Sequence, residues 1–102
     1  MEWKGNEYDN GKLRFEGEYL YGKRNGKGKE YHYNGKLLFE GEYFNGQKWK
    51  GKAKEYNNND KLEFEGEYLN GKRNGKGKEY KNGKLIYEGE YLDGKPISAK
   101  KI

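Results

Sequence analysis

The chain holds few groups able to act chemically on a substrate. It has one histidine, His32, one serine, Ser98, and neither cysteine nor threonine. Ser98 lies in Ile97-Ser98-Ala99-Lys100, with no neighbouring base to activate its hydroxyl. His32 sits beside a turn and has no equivalent elsewhere, as befits a solvated loop-edge imidazole. Glu16 and Glu18 are of the residue type used in acid/base pairs. The same pair returns as Glu40/Glu42, Glu65/Glu67 and Glu88/Glu90, which reads as a solvated charge ladder. Gly22-Lys23-Arg24-Asn25-Gly26-Lys27-Gly28 has the composition of a phosphate loop but not its Gly-Lys-Ser/Thr ending or a following helix. No His cluster or acidic loop has metal-ligand spacing, and without cysteine there is no thiolate site or disulfide. The sequence predicts no catalytic residue, no cofactor and no metal, and hence a non-enzymatic protein.

What recurs is structural. Phe15-Glu16-Gly17-Glu18-Tyr19 returns as Phe39-Glu40-Gly41-Glu42-Tyr43, Phe64-Glu65-Gly66-Glu67-Tyr68 and Tyr87-Glu88-Gly89-Glu90-Tyr91, at spacings of 24, 25 and 23 residues. A period of this size marks stacked copies of one supersecondary unit. Within a copy, Leu13, Phe15, Gly17 and Tyr19 fall on one face, and Arg14, Glu16 and Glu18 on the other. That period of two is the strand signature. A polar turn over 21–26 leads to a second run, 27–33, closed by Asn34-Gly35. Short links join only antiparallel neighbours. The prediction is an all-β, single elongated antiparallel meander of stacked hairpins with about eight strands. One set covers 13–20, 37–44, 62–69 and 85–92; the other covers 3–8, 27–33, 52–57 and 76–81. The array spans 1–95: a half repeat at 3–14, repeats at 15–38, 39–63 and 64–86, and a partial repeat at 87–95. Residues 96–102 read as a tail, because Pro96 lacks a ladder donor. Gly17, Gly41, Gly66 and Gly89 read as floors for neighbouring rings.

Composition limits the rest. Charged residues make up 38% and hydrophobic residues 30%, a balance that leans towards disorder. Eleven Tyr, four Phe and two Trp at fixed offsets reverse that inference, because aromatics bury much surface while keeping a polar handle. No apolar run is long enough for a spanning helix, and Met1-Glu2-Trp3-Lys4-Gly5 lacks a signal-peptide core. A cytoplasmic location is expected, with a membrane-peripheral one as the alternative.

Phe64-Glu65-Gly66-Glu67-Tyr68 followed by Leu69-Asn70-Gly71-Lys72-Arg73-Asn74-Gly75-Lys76-Gly77 resembles the MORN (membrane occupation and recognition nexus) repeat. The family pattern is aromatic-x-Gly-Glu-Trp/Tyr, a spacer, then Gly-Lys-x-x-Gly-x-Gly. The resemblance covers about residues 3–95. By position, its turn glycine is Gly22, Gly46, Gly71 and Gly94, and its Gly-x-Gly pair is Gly26/Gly28 and Gly75/Gly77. In the middle copy Gly51 is kept and Ala53 replaces its partner. Tyr stands where the family usually has Trp, and Asn25 or Asn74 where it has a turn His. The resemblance implies stacked hairpins in a grooved sheet, with protein binding, self-association and membrane-surface contact as family roles.

Two surfaces follow as candidate sites. A single sheet has no second layer, so an aromatic groove lined by Phe15, Tyr19, Phe39, Tyr43, Phe64, Tyr68, Tyr87 and Tyr91 is expected to take a protein partner or another copy. Lys23, Arg24, Lys72 and Arg73, read as turn residues, are candidate contacts for an acidic membrane surface. At roughly 1 kcal/mol per charge they supply about 4 kcal/mol, only millimolar affinity. Nucleic acid is the weaker anionic ligand, because glutamates line the strands. A protein-interaction or scaffold module is the leading function. Peripheral binding of acidic phospholipid is second, and a purely structural or designed array third.

Overall fold

The computed structural model describes residues 2–101, with the side chains of Glu2 and residues 98–101 outside that description. Nine antiparallel strands form one sheet in chain order. They are β1 (Glu2–Asp9), β2 (Lys12–Leu20), β3 (Lys23–Tyr31), β4 (Leu37–Phe44), β5 (Gln47–Tyr56), β6 (Leu62–Leu69), β7 (Lys72–Lys81), β8 (Lys84–Leu92) and β9 (Lys95–Lys101). The ribbon measures 46 × 27 × 13 Å, a single layer. The expected meander is present. Its ninth strand corrects the reading of 96–102 as a tail. Pro96 sits opposite Tyr91, beside a register shift in the outermost strand, where a missing donor is tolerated.

The connections fall on two rims. On one, the turns Tyr21-Gly22, Asn45-Gly46, Asn70-Gly71 and Asp93-Gly94 have φ values of 50/79°, 52/89°, 56/77° and 50/89°. Positive φ at both central positions gives the two-residue hairpin turn whose twist matches the strands. The expected turn over 21–26 is therefore shorter. Lys23, Arg24 and Asn25 already belong to β3. The other rim has two-residue turns at Asn10-Gly11 and Asn82-Gly83, and longer connectors at 32–36 and 57–61. His32 N donates to Lys36 O (2.8 Å) and Asn57 N to Lys61 O (2.9 Å), closing those connectors.

Glycine lets the strands approach and the rings settle. Gly17 faces Gly28, Gly28 faces Gly41, and Gly41 faces Gly51. A Cβ on Gly28 would stand 2.7 Å from the Phe15 ring and 3.0 Å from the Tyr43 ring, so rings from both neighbours lie on this floor. In β2/β3 and β6/β7, two extra residues separate the glycine pair from the Tyr–Arg pair, as in Gly17↔Gly28 and Tyr19↔Arg24. In β4/β5 only Trp49 is extra, between Glu42↔Lys50 and Tyr43↔Lys48. Gly51 consequently pairs with Gly41 on one side while Ala53 pairs with Gly66 on the other. The glycine column steps two residues along β5.

The core follows that step. Phe15, Phe39, Tyr43 and Ala53 form one buried cluster, and Phe64, Tyr87 and Tyr91 a second; Tyr68 packs against both. Within clusters the rings meet edge to face, Phe15–Tyr43 at 5.0 Å and Phe64–Tyr91 at 5.3 Å. Across the step the Phe39–Tyr68 contact is wider, at 6.0 Å, and tilted by 55°.

Candidate functional site

The eight rings expected to line an open groove are the core instead. Phe15, Phe39 and Phe64 are fully buried, Tyr43, Tyr87 and Tyr91 nearly so, and Tyr19 and Tyr68 pack partly buried against them. This corrects the groove assignment: the copies cover one another. They do so with help from the basic residues. Arg24 Cζ stands 4.1 Å over the Phe15 centroid, and Arg73 Cζ 4.1 Å over that of Phe64. Each guanidinium roofs a ring that has no second layer above it.

The same arginines knit a polar chain along the ring edges. Tyr19 Oη donates to Glu7 Oε2 (2.5 Å), Tyr43 Oη to Glu30 Oε1 (2.9 Å), Tyr68 Oη to Glu55 Oε2 (2.6 Å), and Tyr91 Oη to Glu79. Arg24 Nη2 and Nε bond both oxygens of Glu7 (2.8 and 2.9 Å), and its Nη1 reaches Glu30 at 3.2 Å. Arg73 binds Glu55 in the same fork, at 2.7 and 3.0 Å. Lys48 takes the arginine's place in β5, opposite Tyr43. Its ammonium lies 5.5 Å from the Phe39 centroid. The hydrogen bond from Arg24 holds Glu7 below the ordinary carboxylate range. Burial pushes Glu55 upward, but Arg73 and Tyr68 outweigh it and the net shift is downward. Burial, reinforced by Glu7, pushes Tyr19 up to about 12. Burial with Glu30 raises Tyr43 further.

Arg24 and Arg73 are therefore bound into the fold, which corrects their assignment as anionic-surface contacts. Lys23 and Lys72, the first residues of their strands, remain exposed.

The opposite face bears the charge ladder. Glu16 lies opposite Lys29, Lys29 opposite Glu40, and Glu40 opposite Lys52. Open depressions of ≈ 780 and ≈ 570 Å³ run over its glycine floor between these rows. Tyr31 Oη donates to Glu16 (2.7 Å) and Tyr80 Oη to Glu65 (2.6 Å); these bonds push both phenols up to about 12. Among the described residues no group of His, Asp and Glu is placed to hold a metal. His32 joins Tyr33 and Asp60 at the far rim, with Tyr33 Oη donating to Asp60 at 2.7 Å.

At the tight-turn rim the charged face changes character. Leu20, Phe44, Leu69 and Leu92 each follow the tyrosine of a repeat and point to the side away from the core. Opposite them in the ladders stand Lys23, Gln47, Lys72 and Lys95. Phe44 is 67% exposed, and Leu69 and Leu92 are also open; Trp49, the extra residue of β5, lies 6.5 Å from Phe44. The sequence reading passed over this row. Its signal was an apolar residue out of phase with the core, one position after the tyrosine in all four copies.

The MORN repeat family model matches residues 64–84 and 87–96, and the MORN repeat variant matches 24–45 and 49–70. No curated protein and no solved structure matches the chain. The matched segments coincide with the hairpins of the sheet, and the chain belongs to the MORN repeat family, a non-catalytic repeat module used in protein and membrane interaction.

Proposed function

We propose that the chain is a non-catalytic interaction module that docks a protein partner along its tight-turn rim. The row Leu20, Phe44, Leu69 and Leu92, with Trp49 beside it, carries this reading. Phe44, Leu69 and Leu92 stand open to water on the side the core does not use, Leu20 lies half-buried in line with them, and the Phe44 and Trp49 rings pack together; exposed apolar surface of this kind marks interaction sites. Tyr21 supports it. This side chain is 82% exposed at φ 50°, where the other turns of the rim have Asn or Asp. A tyrosine in the left-handed region costs on the order of 1 kcal/mol, so its ring is kept against local preference. Trp3, Tyr8, Tyr33 and Ile86 are exposed elsewhere; the Phe15, Phe39 and Phe64 rings of the aromatic face are closed, and the ladder balances Glu against Lys strand by strand.

The test maps hydrogen exchange on the chain bound to a purified partner. Protection should concentrate at 20–23, 44–50, 69–72 and 92–97. Protection confined to the far rim, at 9–12, 31–37, 56–62 and 81–84, would sink the reading.

A second reading is contact with acidic phospholipid. Lys23, Lys72 and Lys95 flank the apolar row, and a tryptophan beside lysines suits a membrane interface. Sedimentation with phosphatidylserine vesicles at low salt, lost in Lys23→Glu plus Lys72→Glu, supports it; equal sedimentation with neutral vesicles counts against it.

A further inference from the structure

We infer that the occupant of this rim is an amphipathic α-helix with apolar residues at heptad spacing and acidic residues midway between them. The inference rests on the rim reading above and adds the partner's conformation and charge.

The geometry is a matching of periods. Strands lie about 4.8 Å apart, so apolar residues on every second strand recur about every 9.6 Å along the rim. Leu20, Phe44, Leu69 and Leu92 stand on β2, β4, β6 and β8, and Lys23, Lys72 and Lys95 on β3, β7 and β9 between or beyond them. The rim therefore alternates apolar and basic positions at half that interval; on β5 the neutral Gln47 faces Phe44 and Lys50 faces Leu69. A helix rises about 1.5 Å per residue, so residues seven apart recur about every 10.5 Å on one face. Residues three or four further on fall on the same face, halfway between. Apolar residues at heptad spacing would meet the four apolar side chains, and acids at the intermediate positions would meet the lysines. Four contacts span about 29 Å, which a helix covers in about 20 residues.

Other conformations fit worse. An extended strand crossing the rim repeats its side chains about every 6.7 Å and loses step after one contact. A second copy of the chain offers its own rim, which sets lysine against lysine, and like charges facing each other destabilise. The helix is the conformation whose period and charge both agree, and laying an amphipathic helix on an apolar row is an established recognition mode.

The experiment titrates the ¹⁵N-labelled chain with synthetic peptides. The probe is a peptide of about 22 residues with Leu at every seventh position and Glu midway. Its controls have Lys in place of Glu, or a central Pro–Pro that breaks the helix. Phosphatidylserine vesicles form a fourth arm. The expected result is amide shifts at Leu20, Phe44, Trp49, Leu69 and Leu92 with the acidic helix. Affinity should fall at least tenfold for the basic control, for the Pro–Pro control and for Phe44→Ser. Phe44 is exposed, so its replacement should leave the fold's spectrum otherwise intact. Equal binding of the Pro–Pro peptide at the rim would overturn the helix and leave the rim reading standing. Rim shifts with vesicles and with no peptide would overturn it in favour of lipid. Silence of the rim towards every probe would overturn both the helix and the rim reading.

Discussion

Replacing Arg24 by Ala tests how a one-layer sheet keeps an aromatic core. The Arg24 guanidinium lies 4.1 Å over the Phe15 centroid, and its side chain is only 23% exposed. A largely desolvated cation–π contact contributes about 1–2 kcal/mol. Its partners Glu7 and Glu30 have side chains 42% and 21% exposed, so solvent screens the pairs. We assign about 0.5 kcal/mol to each pair, the mid-range for exposed ion pairs. Uncovering one side of the Phe15 ring adds about 0.5–1 kcal/mol at the usual coefficient for apolar area. The total is about 3 kcal/mol, and for a domain of this length that lowers the melting temperature by about 12–24 °C. Thermal unfolding followed by far-ultraviolet circular dichroism measures it. Arg24→Lys keeps the charge but loses the planar fork, and should fall between. Lys12→Ala, at an exposed hairpin end, should stay within about 0.5 kcal/mol of wild type. An Arg24→Ala melt within about 3 °C of wild type would refute the argument that the guanidinium roofs the core.

Three further outcomes follow. Gly28→Ala would drive a methyl into the Phe15 and Tyr43 rings, and should cost about 1–3 kcal/mol in denaturant unfolding even though alanine suits a strand better. Tyr21→Asn relieves the left-handed backbone and should stabilise by about 1 kcal/mol in the same assay, while weakening any ligand of the rim. The pH profile should fall on both sides. Glu7 and Glu55 are held below 4.5, so their contribution is present above the unfolded pKa and lost as pH falls through the folded one. Tyr19, Tyr31 and Tyr80 are raised from 10.0 to about 12, so theirs is complete below pH 10 and lost as pH rises towards about 12. Absorbance of phenolate followed together with ellipticity checks the alkaline limb; phenolate forming fully at pH 10 with the sheet intact would contradict it.

Much of the fold was legible because two signals agreed. The recurrence of Phe-Glu-Gly-Glu-Tyr set the period, and alternation along Leu13 to Tyr19 set the face. Register was harder. Trp49 is one inserted residue in β5, yet it displaces the glycine column by two, because pairing slips until Gly41 finds Gly51. Such a choice between two floors, Gly51 and Ala53, depends on ring packing that spacing does not encode. The site was least legible. Aromatic residues at fixed offsets mark both cores and grooves, and here the packing of neighbouring rings with Arg24, Lys48 and Arg73 over Phe15, Phe39 and Phe64 decides between them. The same two arginines looked like free turn charges because Gly22 and Gly26 read as one loop, whereas the turn closes at Tyr21-Gly22. The rim row was visible only as a residue out of phase with the core.

The sharpest measurement uses the four phenylalanines as reporters of which face is closed. Phe15, Phe39 and Phe64 are fully buried, and Phe44 stands open on the rim. With ring-labelled phenylalanine and a soluble paramagnetic agent, the account predicts one strongly broadened resonance, assigned to Phe44, and three protected ones. Broadening of Phe15, Phe39 and Phe64 with Phe44 spared would show that the aromatic face is an open groove, and would contradict the account at its root.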